Sequence, residues 1–360
     1  MDGPRIVRFA GPRNVDVVTG TPEECPAGTV RVHTLYSGIS AGTELTAYRG
    51  SNVYLHKRWD ASRSLFEPGD QSVSYPISGW GYSEVGRVVE VGGPAPASDR
   101  FPTVGDIVHG VWGHCSEAVV PATQLVGHRL PDGLDPLSGV FVHVGAIALN
   151  AVLAADLHLT ESVVVSGQGV LGLLATRLAV LSGATVIAVE GIPRRRDAAT
   201  HAGAAHTVDP TSTTDVAVRV REITGAGADA AIELSGSYSA LHQAIRSVLP
   251  GGRVVAAGFY QGAATGLDLG EEFHHNRVSV VAAQIGGVPT AVSHRWGRAR
   301  LHQAVLELIA SGRLEVGSLV SHVVPADQAA AAYRLLDERP ADVLQMVLDF
   351  RSDARASATP

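Results

Sequence analysis

The stretch Ser162-Val163-Val164-Val165-Ser166-Gly167-Gln168-Gly169-Val170-Leu171-Gly172 decides how this chain is read. An apolar, β-branched run meets a Gly-x-Gly-x-x-Gly turn, and a helical pattern follows from Val170 to Leu181. The glycine spacing alone says little in a chain with 40 glycines. Strand, turn and helix in that order supply the context that a dinucleotide-binding turn requires. Gly167 permits the tight turn, Gly169 lets a pyrophosphate approach the backbone, and Gly172 lets the helix pack closely on the sheet. The helix start, with Gln168, Val170 and Leu171, offers amide donors and positive potential to an anion. Glu190 ends the next apolar strand, Thr185 to Val189, where a carboxylate accepts hydrogen bonds from an adenosine ribose. It would repel a ribose phosphate, so NAD is favoured over NADP. Arg195, in the run Arg194-Arg195-Arg196, argues the other way, because arginine pairs well with phosphate.

Outward from this turn, strand and helix alternate. A helix opens at Pro193 and ends at Gly203, and a short strand lies near Thr207. A helix from Val216 to Thr224, a strand from Ala230 to Leu234 and a helix through Leu241 to Leu249 follow. The strands Arg253 to Ala257 and Val278 to Ala282 complete the series. This alternation predicts an α/β, doubly wound parallel sheet over residues 139–289. The turns Ser235-Gly236, Gly258-Phe259 and, after the last strand, Gln284 fall at carboxyl ends of strands, where such sheets bind ligands.

The flanking regions differ in texture. Residues 1–138 are rich in Gly, Pro, Val and Ser, with short apolar runs that read as strands of an irregular antiparallel or barrel-like fold. Ser51 to Tyr75 shows neither helical nor strand periodicity and is expected to be a long loop, an ordered lid if its aromatics pack. Residues 290–350 combine a helix with the apolar face Leu301, Val305, Leu308 and Ile309, a strand Leu319 to Val324, a helix Gln328 to Leu336 and a strand Leu344 to Phe350. The tail 351–360 is small and polar and is expected to be disordered.

Composition removes several function classes. The chain has 360 residues, a net charge of -7 and no basic, aromatic-interleaved block, so a nucleic-acid partner is not expected. Two cysteines, Cys25 and Cys115, cannot build a disulfide framework or a cysteine-rich zinc lobe. The N-terminal residues lack the apolar run of a signal peptide, and apolar stretches are strand-length or broken by glycine. A cytoplasmic protein without a membrane partner is expected.

Taken together, the order of elements resembles the medium-chain dehydrogenase/reductase superfamily over nearly the whole chain. Gly38-Ile39-Ser40 opens a stretch similar to Gly-Ile-Cys-Gly-Ser-Asp of its zinc members. Gly86 to Gly92 resembles their Gly-x-Val-x-Glu-Val-Gly strand. Gly227 to Gly236, Pro250 to Val255 and Val343 to Phe350 resemble their later strands. The resemblance implies a Rossmann cofactor domain inserted in a mostly β, GroES-like catalytic domain. That domain would comprise residues 1–138 and 290–350, and a homodimer is expected. The departures concern the metal. Ser40 stands at the family's cysteine ligand, Tyr82 in Gly81-Tyr82-Ser83 at the histidine, and His143 at the third ligand; the structural-zinc cysteines are absent. The Gly-Tyr-Ser pattern, together with Ser37-Gly38-Ile39-Ser40-Ala41-Gly42-Thr43-Glu44, looks like a zinc-free branch that includes bacteriochlorophyllide-type dehydrogenases. No metal is expected.

Without a metal, a side chain must supply acid–base catalysis, typically worth ~10²–10⁴-fold. His143 is the first candidate, as an imidazole titrates near neutrality. Tyr82 is a donor to a carbonyl oxygen, Thr43 a relay hydroxyl, and Glu44 an orienting group or an acceptor from substrate hydroxyls. His109 and His114, around Trp112, read as a possible pocket wall. The expected activity is NAD(P)-dependent, zinc-independent interconversion of an alcohol and a carbonyl on a hydroxylated metabolite such as a sugar, cyclitol or secondary-metabolite intermediate. An enoyl- or quinone-type NADPH reductase, or a non-catalytic nucleotide-binding homologue, remains open.

Overall fold

The computed structural model describes residues 3–93, 100–212 and 215–352. The chain divides into two compact units, one formed by 1–143 with 306–360 and the other by 144–305. These boundaries lie 5 and 16 residues beyond the 138/139 and 289/290 divisions read from texture. The expected disorder of the tail concerns residues of which 353–360 lie outside the described ones.

The continuous unit is built on a six-stranded, all-parallel sheet. Its spatial order is His206–Val208, Thr185–Val189, Ser162–Ser166, Ala228–Glu233, Val248–Ala256, Ser279–Ala282. Strand order reverses on either side of Ser162–Ser166, the topological switch point of a doubly wound sheet. Val163, Val164 and Val165 are buried, as expected of a strand covered on both faces. The helix Val170–Leu181 buries Leu173, Leu174, Ala175, Leu178 and Ala179. Asp215 caps the helix Val216–Thr224 by accepting from the Val218 amide, and Gly225 ends it in the left-handed region.

The other unit centres on the long strand Thr29–Ile39, which pairs antiparallel with Glu84–Val91, with Glu117–Pro121 and with Gln345–Asp349. Gln345–Asp349 pairs parallel with Val320–Pro325, so the returning segment completes the same sheet. A second sheet joins Arg5–Gly11, Asn14–Thr19 and Ile77–Ser78. The helix Ala329–Glu338 buries Tyr333 completely.

Three elements depart from the sequence reading. Ser51 to Tyr75 is not an unpatterned loop: Lys57–Asp60 and Leu65–Pro68 form a two-stranded hairpin. Both of its faces are largely exposed, which removes the alternation that would reveal a strand. Trp59 pairs with Phe66 across it, their rings 4.9 Å apart, and Tyr54 packs on Phe66 at 5.4 Å. A short helix, Thr43–Arg49, follows the Ser40 turn. A longer one, Phe141–Ala155, is apolar on every side and has no stripe to read. With the turn before it, this helix is long and apolar enough to cross a membrane, but it is mostly buried inside the protein.

Candidate active site

At the end of Thr29–Ile39 the chain turns through Ser40, Ala41 and Gly42 into the helix Thr43–Arg49. This turn is pinned from below. The Ser40 amide donates to Glu44 Oε1 at 3.0 Å, and the Thr43 amide approaches Ser40 Oγ at 3.4 Å. Tyr82, from the segment before Glu84–Val91, donates its hydroxyl proton to Ser40 Oγ, and its oxygen lies 3.5 Å from Thr43 Oγ1. The His143 ring meets the Tyr82 ring edge-on, 5.5 Å between centroids. Four of the five residues singled out from sequence, Ser40, Thr43, Tyr82 and His143, therefore converge in one place. Burial pushes the Tyr82 phenol up to about 12, the negative charge of Glu44 adding to it. It keeps its proton at neutral pH and acts as a donor, not a base.

Glu44 has a different place from the one expected of a substrate acceptor. It is fully buried. Its second oxygen, Oε2, takes His114 Nε2 at 2.8 Å and the Tyr333 hydroxyl at 2.5 Å. With both oxygens engaged inside the protein, Glu44 orients its neighbours and does not meet substrate. His114 is not a pocket wall either. It is buried, with Nδ1 2.6 Å from Ser37 Oγ, which donates to Glu84 Oε1 at 2.9 Å; Glu84 Oε2 accepts from the Trp112 amide. Burial drags the His114 imidazole down, but the charges of Glu44 and Glu84 outweigh it and the net direction is up. Burial pushes the Glu84 carboxyl up. His109 is buried as well, stacked on His128 at 4.3 Å. No sequence spacing links His114, Ser37 and Glu84; strand pairing sets Ser37 opposite Glu84, and the bend before Glu117–Pro121 brings His114 to both.

The glycine turn lies at the carboxyl end of Ser162–Ser166. A Cβ on Gly172 would sit 1.8 Å from the Gly167 carbonyl oxygen, so only glycine lets the helix start this close to the strand. A Cβ on Gly169 would meet nothing, leaving open space before the helix start. Val170 and Leu171 begin that helix. Gln168 turns inward: its side chain is buried, donating to the Val165 carbonyl and accepting from Thr176 Oγ1. The residue is fully buried and its backbone amide is engaged as well, so Gln168 supports the turn from within and leaves ligand contact to Val170 and Leu171. Glu190 Oε2 accepts from the Gln168 amide at 2.7 Å and Oε1 from the Ile192 amide at 3.0 Å, so the acid also ties two strand-to-helix turns together. Arg196 is committed to the Glu190 and Gly191 carbonyls and to Asp209. Arg195 is half-buried, and burial pulls its pKa down.

Sequence reasoning missed Glu233. It is fully buried at the end of its strand and gathers the next two turns. It accepts from the Ser235 amide at 2.7 Å, the Ser235 hydroxyl, the Gly236 amide at 3.1 Å and the Tyr260 hydroxyl at 2.5 Å. Above it Gly258 stands so close to Gly236 that a Cβ would lie 2.4 Å from the Gly236 amide nitrogen. The signal was available, since an acid closing an apolar strand before a Ser-Gly turn repeats the grammar of Glu190. Phe259 and Gln284 are exposed, and the Gln284 side-chain Oε1 accepts from the Gly286 amide at 2.5 Å.

Comparison with known proteins accords with these features. Residues 170–307 match the family model described as zinc-binding dehydrogenase. The chain is 28% identical to D-guloside 3-dehydrogenase of Escherichia coli strain K12 over 333 residues, 90% of this chain and 93% of that one. It is also 28% identical to 2-desacetyl-2-hydroxyethyl bacteriochlorophyllide A dehydrogenase of Cereibacter sphaeroides, over 97% and 98% of the two chains. The crystal structure of 2R,3R-butanediol dehydrogenase from Bacillus subtilis superposes with a TM-score of 0.78, at 23% identity and covering 96% of this chain and 99% of that one. The chain belongs to the medium-chain, zinc-binding dehydrogenase family. It is an oxidoreductase, and its cofactor is a nicotinamide dinucleotide. The open space at Gly169 and the close fit at Gly172 suit such a cofactor, whose pyrophosphate the amides of this turn would hold.

The family's metal fits less well. Ser40, Tyr82 and His143 present two hydroxyls and one imidazole, whereas zinc is held by thiolate, imidazole and carboxylate. Glu44 and His114, the nearest groups of ligating type, are bonded to each other in the buried network. Among the described residues, three ligating side chains converge at His242, Asp268 and Glu271, in the other unit.

Proposed function

We propose that this dehydrogenase interconverts an alcohol and a carbonyl on a hydroxylated metabolite, a sugar, cyclitol or secondary-metabolite intermediate, using NAD and no catalytic metal. The observation that carries this reading is the hydroxyl cluster of Ser40, Thr43 and Tyr82 with the His143 ring against it. Tyr82, protonated at neutral pH, turns its hydroxyl from Ser40 Oγ to donate to the substrate oxygen and disperses the charge that grows there. His143 exchanges the alcohol proton, and Thr43 Oγ1 relays it. The bound nicotinamide supplies the hydride acceptor or donor. The relatives support the substrate class by their names, which describe dehydrogenases of a guloside and of a hydroxyethyl bacteriochlorophyllide. NAD preference rests on Glu190, whose carboxylate is held at the strand end by two amides, and on the commitment of Arg196 elsewhere. The same reading makes the protein a cytoplasmic homodimer, to be tested by light scattering.

The decisive experiment measures zinc in the purified protein and turnover of glycosides, polyols and cyclitols with NAD and NADP, with and without a chelator. Expected are well under one zinc per chain, chelator-resistant activity, and at least about tenfold preference for NAD, a difference of about 1.4 kcal/mol. Stoichiometric zinc that leaves together with activity would sink the metal-free mechanism. Activity confined to enones or quinones with NADPH would sink the alcohol assignment.

A further inference from the structure

The two segments that carry the hydroxyl cluster are separate in sequence, and one residue touches both. On the Ser40 side, His114 Nε2 meets Glu44 Oε2 at 2.8 Å, and the other oxygen of Glu44 holds the Ser40 amide at 3.0 Å. On the Tyr82 side, the His114 amide donates to the Trp80 carbonyl at 2.8 Å. The imidazole also lies flat against the residue preceding Tyr82: a Cβ on Gly81 would stand 2.9 Å from His114 Cε1 and Nδ1. Gly81 has φ +123°, so the segment bends there, on the imidazole.

The orientation of the ring is fixed at both nitrogens. Ser37 donates its single hydroxyl proton to Glu84 Oε1, which leaves its oxygen to accept from His114 Nδ1. Nε2 in turn faces the Glu44 carboxylate, which also accepts from Tyr333. Both ring nitrogens therefore carry protons, and a cationic ring is flanked by Glu44 from the helix Thr43–Arg49 and Glu84 from the central sheet. Tyr333 from the helix Ala329–Glu338 faces it edge-on at 6.4 Å; of the other titratable groups, Cys115 follows it in the chain and Tyr82 follows Gly81, on which the ring packs. An ion pair removed from water is useful mainly for the geometry it imposes.

We propose that His114 is a positioning residue for the dehydrogenase reaction, a buried clamp that sets the contact between Ser40 and Tyr82 by holding both of their segments at once. It touches neither substrate nor cofactor. This inference rests on the hydroxyl cluster being the reacting site, but its first test does not. In the clamp, loss of the ring's hydrogen bonds frees the 37–45 and 79–85 segments together. Because a misplacement of about 1 Å at reacting groups can cost ~10²-fold, turnover falls while cofactor affinity does not. The wild-type alkaline limb of kcat marks the ring losing its proton.

The test compares His114→Phe, which keeps the ring volume, with Ser37→Ala, which removes the Nδ1 partner and the donor to Glu84 Oε1 but keeps the imidazole on Glu44. Hydrogen exchange is followed in the full-length protein for peptides spanning 37–45 and 79–85, together with kcat, KM and NADH affinity across pH. Expected for His114→Phe are faster exchange in both peptides, kcat lowered about tenfold or more, NADH affinity within about twofold, and loss of the alkaline limb. Ser37→Ala folds with less disturbance and moves that limb to lower pH. Faster exchange confined to the residues around position 114, or a kcat and pH profile equal to wild type in both variants, overturns the clamp. If wild type turns over no alcohol or carbonyl, the functional reading fails, while coupled exchange in the two peptides still decides the clamp.

Discussion

Single residues separate binding from folding most cleanly at the glycine turn. Gly169 and Gly172 are two members of one motif with opposite surroundings. Gly169→Ala adds a methyl to open space, so thermal stability should stay within about 1 °C of wild type while NADH affinity drops about tenfold or more, measured by fluorescence titration, because the methyl occupies the pyrophosphate's approach. Gly172→Ala forces a methyl onto a backbone oxygen and should cost about 3 kcal/mol or more, a loss visible in calorimetry before any ligand is added. At the hydroxyl cluster, His143→Ala should leave NADH affinity nearly unchanged and lower kcat at least about tenfold. Turnover equal to wild type would refute the acid–base role. Tyr82→Phe should lower kcat similarly and leave the pH optimum in place, because the phenol is already protonated throughout the working range. The residues of this cluster were legible from their order in the chain. Their partners Ser37, Glu84 and His114 were not, since nothing in a linear spacing announces a hydrogen bond between segments distant in the chain.

Among the elements, those with a single face or a clear cap were read correctly. The helix Val216–Thr224 has an aspartate before it and a glycine after it, and its bounds follow from those two residues. The hairpin at Lys57–Asp60 and Leu65–Pro68 and the helix Phe141–Ala155 fail at opposite extremes. One is exposed on both faces and the other buried nearly all round, so neither leaves a period in the sequence. Turns depend on their internal acids. Glu233→Ala would strip the Ser235 and Gly236 amides and the Tyr260 hydroxyl of their acceptor. Each buried group so abandoned costs about 1–3 kcal/mol, so a fall in Tm of several degrees and a weaker grip on NADH are expected together, by calorimetry and fluorescence titration. Retained NADH affinity with lowered Tm would make Glu233 a matter of folding alone.

For the molecule as a whole, the buried charges predict how stability follows pH. The folded-state pKa of His114 lies above its ordinary 6.5. Its contribution is therefore complete below about 6.5 and disappears as pH rises through the folded value. Glu84 works in the same direction from a lower pH: its carboxyl is raised by burial, so its contribution is lost from about 4.5 upward, as pH rises through the folded value. Melting temperature should thus decline from about pH 4.5 upward, with the His114 part beginning at about 6.5, and His114→Phe should flatten the decline above that pH. A slope unchanged in the variant would show that other groups set it.

Sequence alone determined the parallel α/β unit, the glycine turn at the strand end that suits a nicotinamide dinucleotide, and the residue types at Ser40, Tyr82 and Glu190 on which the proposed chemistry rests. These follow from local rules: the period of apolar residues, the conformational demands of glycine, and the donor chemistry of side chains. Only the tertiary structure decided that Glu44 faces inward, that Gln168 is buried and braces the turn, that Glu233 gathers two turns, and that His114 joins the Ser40 and Tyr82 segments. Each of these depends on strands and helices distant in sequence meeting in a buried space, where a polar group must find a partner. Which partner it finds is a property of register and packing, not of spacing along the chain. The glycine turn was decisive for the fold because its constraint is entirely local; the hydroxyl cluster needed the whole of its unit to be assembled.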